Sequence, residues 1–182
     1  MQLKSNAPEI KWIIRNAAVS SFARDLDHRL LSTGELTQGQ IDAVARILLE
    51  PPRVAAQVDA AGVTRIVQAF ANAVGNGLKR PKMYLGDFLF KLAPAGGRNA
   101  GAIYVTEEGE YLGKIADGAF HAARDCTDAQ KAAILAVCAD PKKAAEAFGQ
   151  ETGRCSCCGR ELTDPVSIAN NIGPVCAENY GL

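Results

Sequence analysis

Apolar residues recur every three or four positions near the start of the chain, at Ile10, Ile13, Ile14, Ala17, Ala18, Phe22, Leu26 and Leu30. That spacing lines one face of an α-helix. Asn6 is placed to cap this helix, with Pro8 in the first turn where a missing N–H costs little, and Ser32-Thr33-Gly34 ends it. Thr37 and Gln40 have the spacing of a capping box. They open a second helix carrying Ile41, Val44, Ile47 and Leu48, which Pro51-Pro52 closes. Two antiparallel helices on a short loop would bury the two stripes against each other. A third helix is predicted from about Val63 to Val74, with Val63, Ile66, Val67, Phe70 and Val74 inward, and Gly75-Asn76-Gly77 stops it.

The period then changes to two. Lys82 to Leu92 predicts one strand, with Tyr84, Phe88, Phe90 and Leu92 on one face and Met83, Leu85 and Leu89 on the other. Apolar residues on both faces imply a central strand, bending at Gly86. Ala102–Thr106 and Glu110–Ile115 read as a hairpin turning through Glu107-Glu108-Gly109, and Phe120 and His121 sit on a further short strand after Asp117-Gly118. Helices return with a second capping-box spacing at Thr127 and Gln130, ahead of Ala132, Ile134, Leu135 and Val137. Asp140-Pro141 starts another, through Ala144, Ala145 and Phe148 to Gly149. The expectation is an α+β fold in three parts: helices over 1–76, a small antiparallel sheet with two further helices over 77–152, and a cysteine-rich module over 153–182.

Composition narrows this picture. Hydrophobic residues make up 48% and charged residues 22% of the 182 positions, which excludes a globally disordered chain. Lysine plus arginine balances aspartate plus glutamate at 20 each, so bulk charge cannot coat nucleic acid, and any phosphate contact must come from a local patch. No run approaches the roughly 18 apolar residues of a membrane span. The first residues have no secretory pattern, so a cytoplasmic setting with reduced thiols is expected.

In that setting the six cysteines point to metal rather than to disulfides. Cys155 and Cys158 are separated by two residues, the spacing with which a tight turn grips one tetrahedral ion while its backbone N–H groups point at sulfur. Gly159 gives the turn its exit. Cys176 follows Gly173-Pro174 at the start of a predicted helix, whose positive end favours a thiolate. A knuckle, a loop and a helix start together describe a treble-clef or ribbon type of zinc module, held by Cys155, Cys158 and Cys176. The fourth position is open. Asn179 stands where a fourth cysteine would complete the pattern, and it is a poor ligand. Cys157 is the nearest spare thiol, and Cys126, Cys138, His121, Asp164 or water are the alternatives.

Thr152-Gly-Arg-Cys155-Ser-Cys-Cys158-Gly-Arg160-Glu-Leu162-Thr163-Asp164-Pro165, with Ser167 and Ile172-Gly-Pro-Val-Cys176, resembles a zinc-module family of unknown function that is common in tailed-phage and prophage proteins. More loosely, Gly77–Lys82, Gly101–Val105 and Tyr111–Ile115 resemble the segment that often precedes this module in phage proteins. The resemblance implies zinc on Cys155, Cys158 and Cys176 and a phage or mobile-element origin. It carries no activity.

Among activities, nucleic-acid binding leads, as a replication, recombination or transcription accessory, with DNA favoured over RNA. Lys79, Arg80, Lys82, Lys91 and Arg98 crowd a segment holding one acid, Asp87, while Arg154 and Arg160 flank the knuckle. Tyr84, Phe88, Phe90, Tyr104 and Tyr111 are candidates to stack on unpaired bases. The candidate phosphate contacts are Lys79, Arg80, Lys82, Arg98 and Arg160. The alternative is a protein-interaction module that binds a host enzyme or blunts a host defence, which the acidic stretch Glu107–Asp128 suits equally. Enzyme signatures are missing: no deaminase His-x-Glu with Pro-Cys-x-x-Cys, no phosphate-binding loop and no Gly-x-Ser-x-Gly elbow. His28 lies among Asp25, Asp27 and Arg29, as on a solvated helix face. A binding role is therefore expected over a catalytic one.

Overall fold

The computed structural model describes residues 7–49 and 54–182. The fold is α+β, with eight helices and one six-stranded antiparallel sheet among the described residues. Two compact units divide the chain, residues 1–52 and 53–182. Both boundaries expected from the sequence, after residue 76 and after residue 152, fall inside the second unit. No helix among the described residues is long and apolar enough to cross a membrane.

The first unit holds α1 (Pro8–Asn16), α2 (Ser21–Thr33) and α3 (Gln38–Leu49). A single helix through Leu30 was the expectation, and two local devices break it. Ser20 accepts from the Ala23 N–H and caps α2, and the Arg24 guanidinium donates to the carbonyls of Ala17 and Ala18 just beyond α1. These satisfy the backbone groups that a continuous helix would have paired. The break leaves Ile14 exposed and half uncovers Phe22. Ile10, Ile13, Leu26, Leu36, Ile41 and Val44 form the core. The Thr37–Gln40 capping box is present in both directions. The expected Asn6 cap and Pro51-Pro52 stop lie outside the described residues.

The second unit opens with β1 (Ala56–Gln57) and α4 (Ala60–Gly75), whose N-cap Asp59 accepts from Gly62 N–H. Ile66, Ala69, Phe70 and Ala73 are its buried face, so the inward stripe is rotated from the expected one and Val67 and Val74 face outward. Five strands follow: β2 (Lys82–Leu85), β3 (Phe88–Leu92), β4 (Ile103–Glu107), β5 (Glu110–Ala116) and β6 (Ala119–Ala122), in the order β1-β6-β5-β4-β3-β2. The expected single strand over 82–92 is a hairpin, with Leu85 opposite Phe88 and Gly86 (φ 57°) taking the left-handed position of the turn. Folding back puts Met83, Leu85, Phe88 and Phe90 together on the buried face. The β4–β5 and β5–β6 turns, Glu108-Gly109 and Asp117-Gly118, have positive φ at both positions, the geometry that matches strand twist.

The helices α5 (Asp128–Ala139) and α6 (Pro141–Thr152) come next, the former with its expected Thr127–Gln130 capping box. Ile134 and Cys138 of α5 join Phe70, Phe90, Val105 and Phe120 in one core. The chain ends with α7 (Pro165–Asn170) and α8 (Pro174–Tyr180). Cys155, Cys157 and Tyr180 belong to that same core, so the cysteine-rich segment packs as part of the unit. It lies along the outer edge of β2. The N–H groups of Lys82, Tyr84 and Gly86, alternate positions on that edge, donate to the Tyr180 hydroxyl, the Ser156 carbonyl and the Ala144 carbonyl.

Candidate metal centre

Residues 153–162 form a short hairpin-like knuckle. Cys155 N–H donates to Arg160 O, Gly159 N–H to Cys155 O, and Leu162 N–H to Gly153 O, while Arg154 and Glu161 pair as an isolated bridge. Gly159 takes φ 78°, and a Cβ there would stand 3.0 Å from the Tyr84 ring. Glycine is thus required both by the turn and by its seat on β2. Asp164 then caps α7 by accepting from the N–H and hydroxyl of Ser167. Asn171 in the left-handed region (φ 57°) ends α7 and redirects the chain to Gly173-Pro174. The first turn of α8 carries Cys176 to the knuckle.

The ligand atoms of Cys155, Cys158 and Cys176 all lie within 4.8 Å of one another. With metal–sulfur bonds of about 2.3 Å, sulfurs sharing a tetrahedral ion stand just under about 4 Å apart, so a small contraction brings these three into one coordination sphere. The donor set is prepared for a cation. The Cys157 thiol hydrogen-bonds the Cys155 sulfur, and the N–H groups of Cys158, Gly173 and Cys157 also point at it; together they hold its pKa down to about 4 despite burial. Burial first, and then the negative charge of Cys155, push Cys176 up to about 12. The Cys155 charge thus disfavours a second thiolate beside it, and a divalent ion would remove that repulsion. These residues could hold a metal ion.

Residues 145–181 match a family of unknown function, DUF6011.

The DUF6011 match runs from the middle of α6 to just past α8, so it includes the knuckle, all three converging cysteines and the helix that leans on β2. No curated protein and no solved structure matches the chain.

The fourth-ligand candidates separate clearly. Asp164 is engaged as a helix cap. Cys138 is fully buried in α5, its thiol pushed up to about 12 by burial and then by Asp59. Cys126 contacts Thr127 O, and His121 is exposed on β6. Cys157 stands beside the cluster, buried, and its hydrogen bond to Cys155 raises its pKa before burial adds to the effect. It is outside the converging set of three. Sequence reading missed the Gly173 N–H, which supports the Cys155 sulfur from the far side of the loop. The Gly-Pro-Val-Cys spacing is the one signal that could have found it.

The candidate phosphate-binding residues scatter. Lys79 and Arg80 are exposed between α4 and β2, Arg98 is exposed in the β3–β4 connection, and Arg160 is exposed on the knuckle. Lys82 is half-buried on β2, with its ammonium 3.2 Å from the Tyr84 hydroxyl and 5.1 Å from the centre of that ring. The aromatic candidates divide. Phe88 and Phe90 are core, and Tyr84 stacks on Phe148 with ring centres 4.8 Å apart. Tyr104 and Tyr111 meet edge to face on the same face of the sheet as Tyr84, opposite the core.

Strand register creates a row that the sequence reading did not assemble. Lys82 pairs with Lys91, Lys91 with Tyr104, Tyr104 with Lys114, and Lys114 with His121. Paired residues share a face, so three lysines, a tyrosine and a histidine cross five strands in line. Tyr111 is 48% exposed beside Tyr104. Asn99 links the row's centre, donating to the Tyr104 hydroxyl and accepting from Lys114.

Proposed function

We propose that the protein is a zinc-binding accessory of phage type that binds nucleic acid on the open face of its sheet. The observation that carries this reading is the cross-strand row Lys82–Lys91–Tyr104–Lys114–His121 with Tyr111 beside it. Cations at strand spacing track phosphates, and exposed rings offer a surface on which unpaired bases stack, independent of sequence. The chain's zero net charge then matters little, because three lysines stand in line on one face. Arg98, at the row's flank in sequence, and Lys79 and Arg80, just ahead of β2, extend the basic surface. Arg160 contributes from the knuckle. Zinc is the ion that a three-thiolate knuckle-and-helix site suits best, and its role is structural, since the cysteines fold the segment that packs along the edge of β2. DNA is the favoured polymer, single-stranded over duplex, because stacking needs unpaired bases.

The test is retention of a fluorescent oligothymidylate at about 50 mM salt, where phosphate contacts are strongest. Wild type should bind with an affinity that falls steeply with salt. The double change Lys91→Glu, Lys114→Glu should weaken binding and lower the salt slope by about one unit per lost contact. Tyr111→Ala should weaken single-strand binding more than duplex binding. All variants must keep their metal and a cooperative melt. A wild type that retains neither DNA nor RNA at low salt would sink the proposal.

A further inference from the structure

A cleft of about 1040 Å³ opens on the second unit, away from the basic row, between α4 and α6 with α7 and α8 closing it. Its floor is apolar and buried, including Ile66, Ala69, Met83 and Tyr180. Two polar side chains interrupt that floor. Ser156 and Asn171 are 3% and 6% exposed, and neither side chain makes a hydrogen bond among the described residues. Their polar groups open onto the cleft. Asn171 is held there rigidly: its own backbone is left-handed, and its side chain lies so close to Gly149 of α6 that a Cβ on that glycine would stand 2.4 Å from it. No side-chain polar atom among the described residues is both buried and without a partner, so these two groups reach the cleft and offer it a hydroxyl and an amide as hydrogen-bonding groups.

The walls indicate what kind of ligand. The exposed side chains of Gln150 and Asn170 stand on the rim with no side-chain hydrogen bond among the described residues, and Arg65 has no ion pair among them. Lys142 is tied to Glu146 at 3.9 Å, which leaves Arg65 as the rim's uncompensated charge. Amide and hydroxyl side chains offer both a donor and an acceptor, the complement of a peptide backbone. An apolar floor between them takes alternate side chains of an extended segment. A nucleic acid is poorly served here. One free cation cannot track a backbone of phosphates, and the ring lining the cleft, Tyr180, is buried with its hydroxyl bonded to the backbone of Lys82.

We propose that this cleft binds an extended, acidic peptide segment of a partner protein, with Ser156, Asn171, Asn170 and Gln150 meeting its backbone and Arg65 meeting a carboxylate. The residues named for this site are distinct from those of the basic row, and the chain would thereby join a protein partner to whatever that row holds.

The experiment screens the metal-loaded full chain against a displayed library of linear peptides of about ten residues, then measures synthetic winners by fluorescence polarisation. Winners should be enriched in aspartate and glutamate. Arg65→Glu, a change at an exposed position, should weaken them by about tenfold or more, and exchanging the contacted acid for lysine should restore binding to that variant. Asn170→Ala and Gln150→Ala should weaken the same peptides, while Lys91→Glu, Lys114→Glu should not. The proposal is overturned if no peptide is enriched, if winners ignore Arg65→Glu and Asn170→Ala alike, or if oligothymidylate displaces them one for one.

Discussion

Two glycines in helices show how differently the same residue can be required. A Cβ on Gly62 would lie 1.7 Å from the carbonyl oxygen of Cys138, so α4 can pass the end of α5 only because the side chain is missing. Gly62→Ala is expected to destabilise the second unit by about 2 kcal/mol or more, since backbone must move. Gly39, inside α3, meets nothing within 4 Å. Gly39→Ala should stabilise the first unit by about 0.5–1 kcal/mol through the unfolded chain. Urea unfolding of both variants checks the pair, and equal effects would contradict the packing argument. The cysteines divide in a similar way. Protein purified without added metal should contain about one zinc per chain, and Cys158→Ser or Cys176→Ser should lose most of it. Cys157→Ser should keep the metal with weaker affinity, because three sulfurs converge without Cys157 and its hydrogen bond to Cys155 is what the change perturbs. Elemental analysis decides each case. Alkylation of the folded, metal-loaded chain should reach Cys126 well before Cys138, whose thiol is buried and pushed up to about 12.

At the scale of elements, the capping boxes, the two hairpin turns with positive φ and the cysteine knuckle were legible because each depends on neighbours within a few residues. What was not legible depended on partners far away in sequence. Lys82–Leu92 has apolar residues at both parities, and alternation alone cannot tell one strand buried on both faces from a hairpin whose parity flips at Gly86-Asp87. Register settles it, since Met83 faces Phe90. The unbroken apolar spacing through Leu30 concealed the break after α1, because the Arg24 and Ser20 contacts that end one helix and start the next leave no mark in hydrophobic period. The converging cysteines could be found from spacing, but Lys114 could not be joined to Lys82 and Lys91 until three strand pairings placed them in line. Lys82 also links the cross-strand basic row to the cysteine-rich segment. Its N–H donates to the Tyr180 hydroxyl and its carbonyl accepts from it, so one end of the basic row is fixed by α8.

For the whole molecule, the division at residue 52 implies two unfolding units. A fragment of residues 53–182 should melt cooperatively by itself, carrying the metal, because its core is closed by its own residues. A fragment ending at Thr152 should not. It would strip Cys155, Cys157 and Tyr180 from the core and leave Phe70 without its edge-on ring partner. Near-ultraviolet circular dichroism and thermal melts distinguish the outcomes, and a cooperative 1–152 fragment would show that the cysteine segment is dispensable for folding. A chelator should act on the second unit and leave the helical signal of the first intact.

The three bonds along the outer edge of β2 have a further consequence. An open strand edge is a template on which another chain can pair, and proteins guard such edges. Here the guard is made of Tyr180, Ser156 and Ala144, two of which belong to the segment that the cysteines fold. Loosening that segment would therefore expose an adhesive ladder of N–H groups next to Met83 and Leu85. Chelated protein, warmed gently, should grow fibrils that bind thioflavin and carry β2 at their protected centre, and adding zinc beforehand should prevent growth. Seen this way, the segment that the cysteines fold would act as a safety catch against polymerisation.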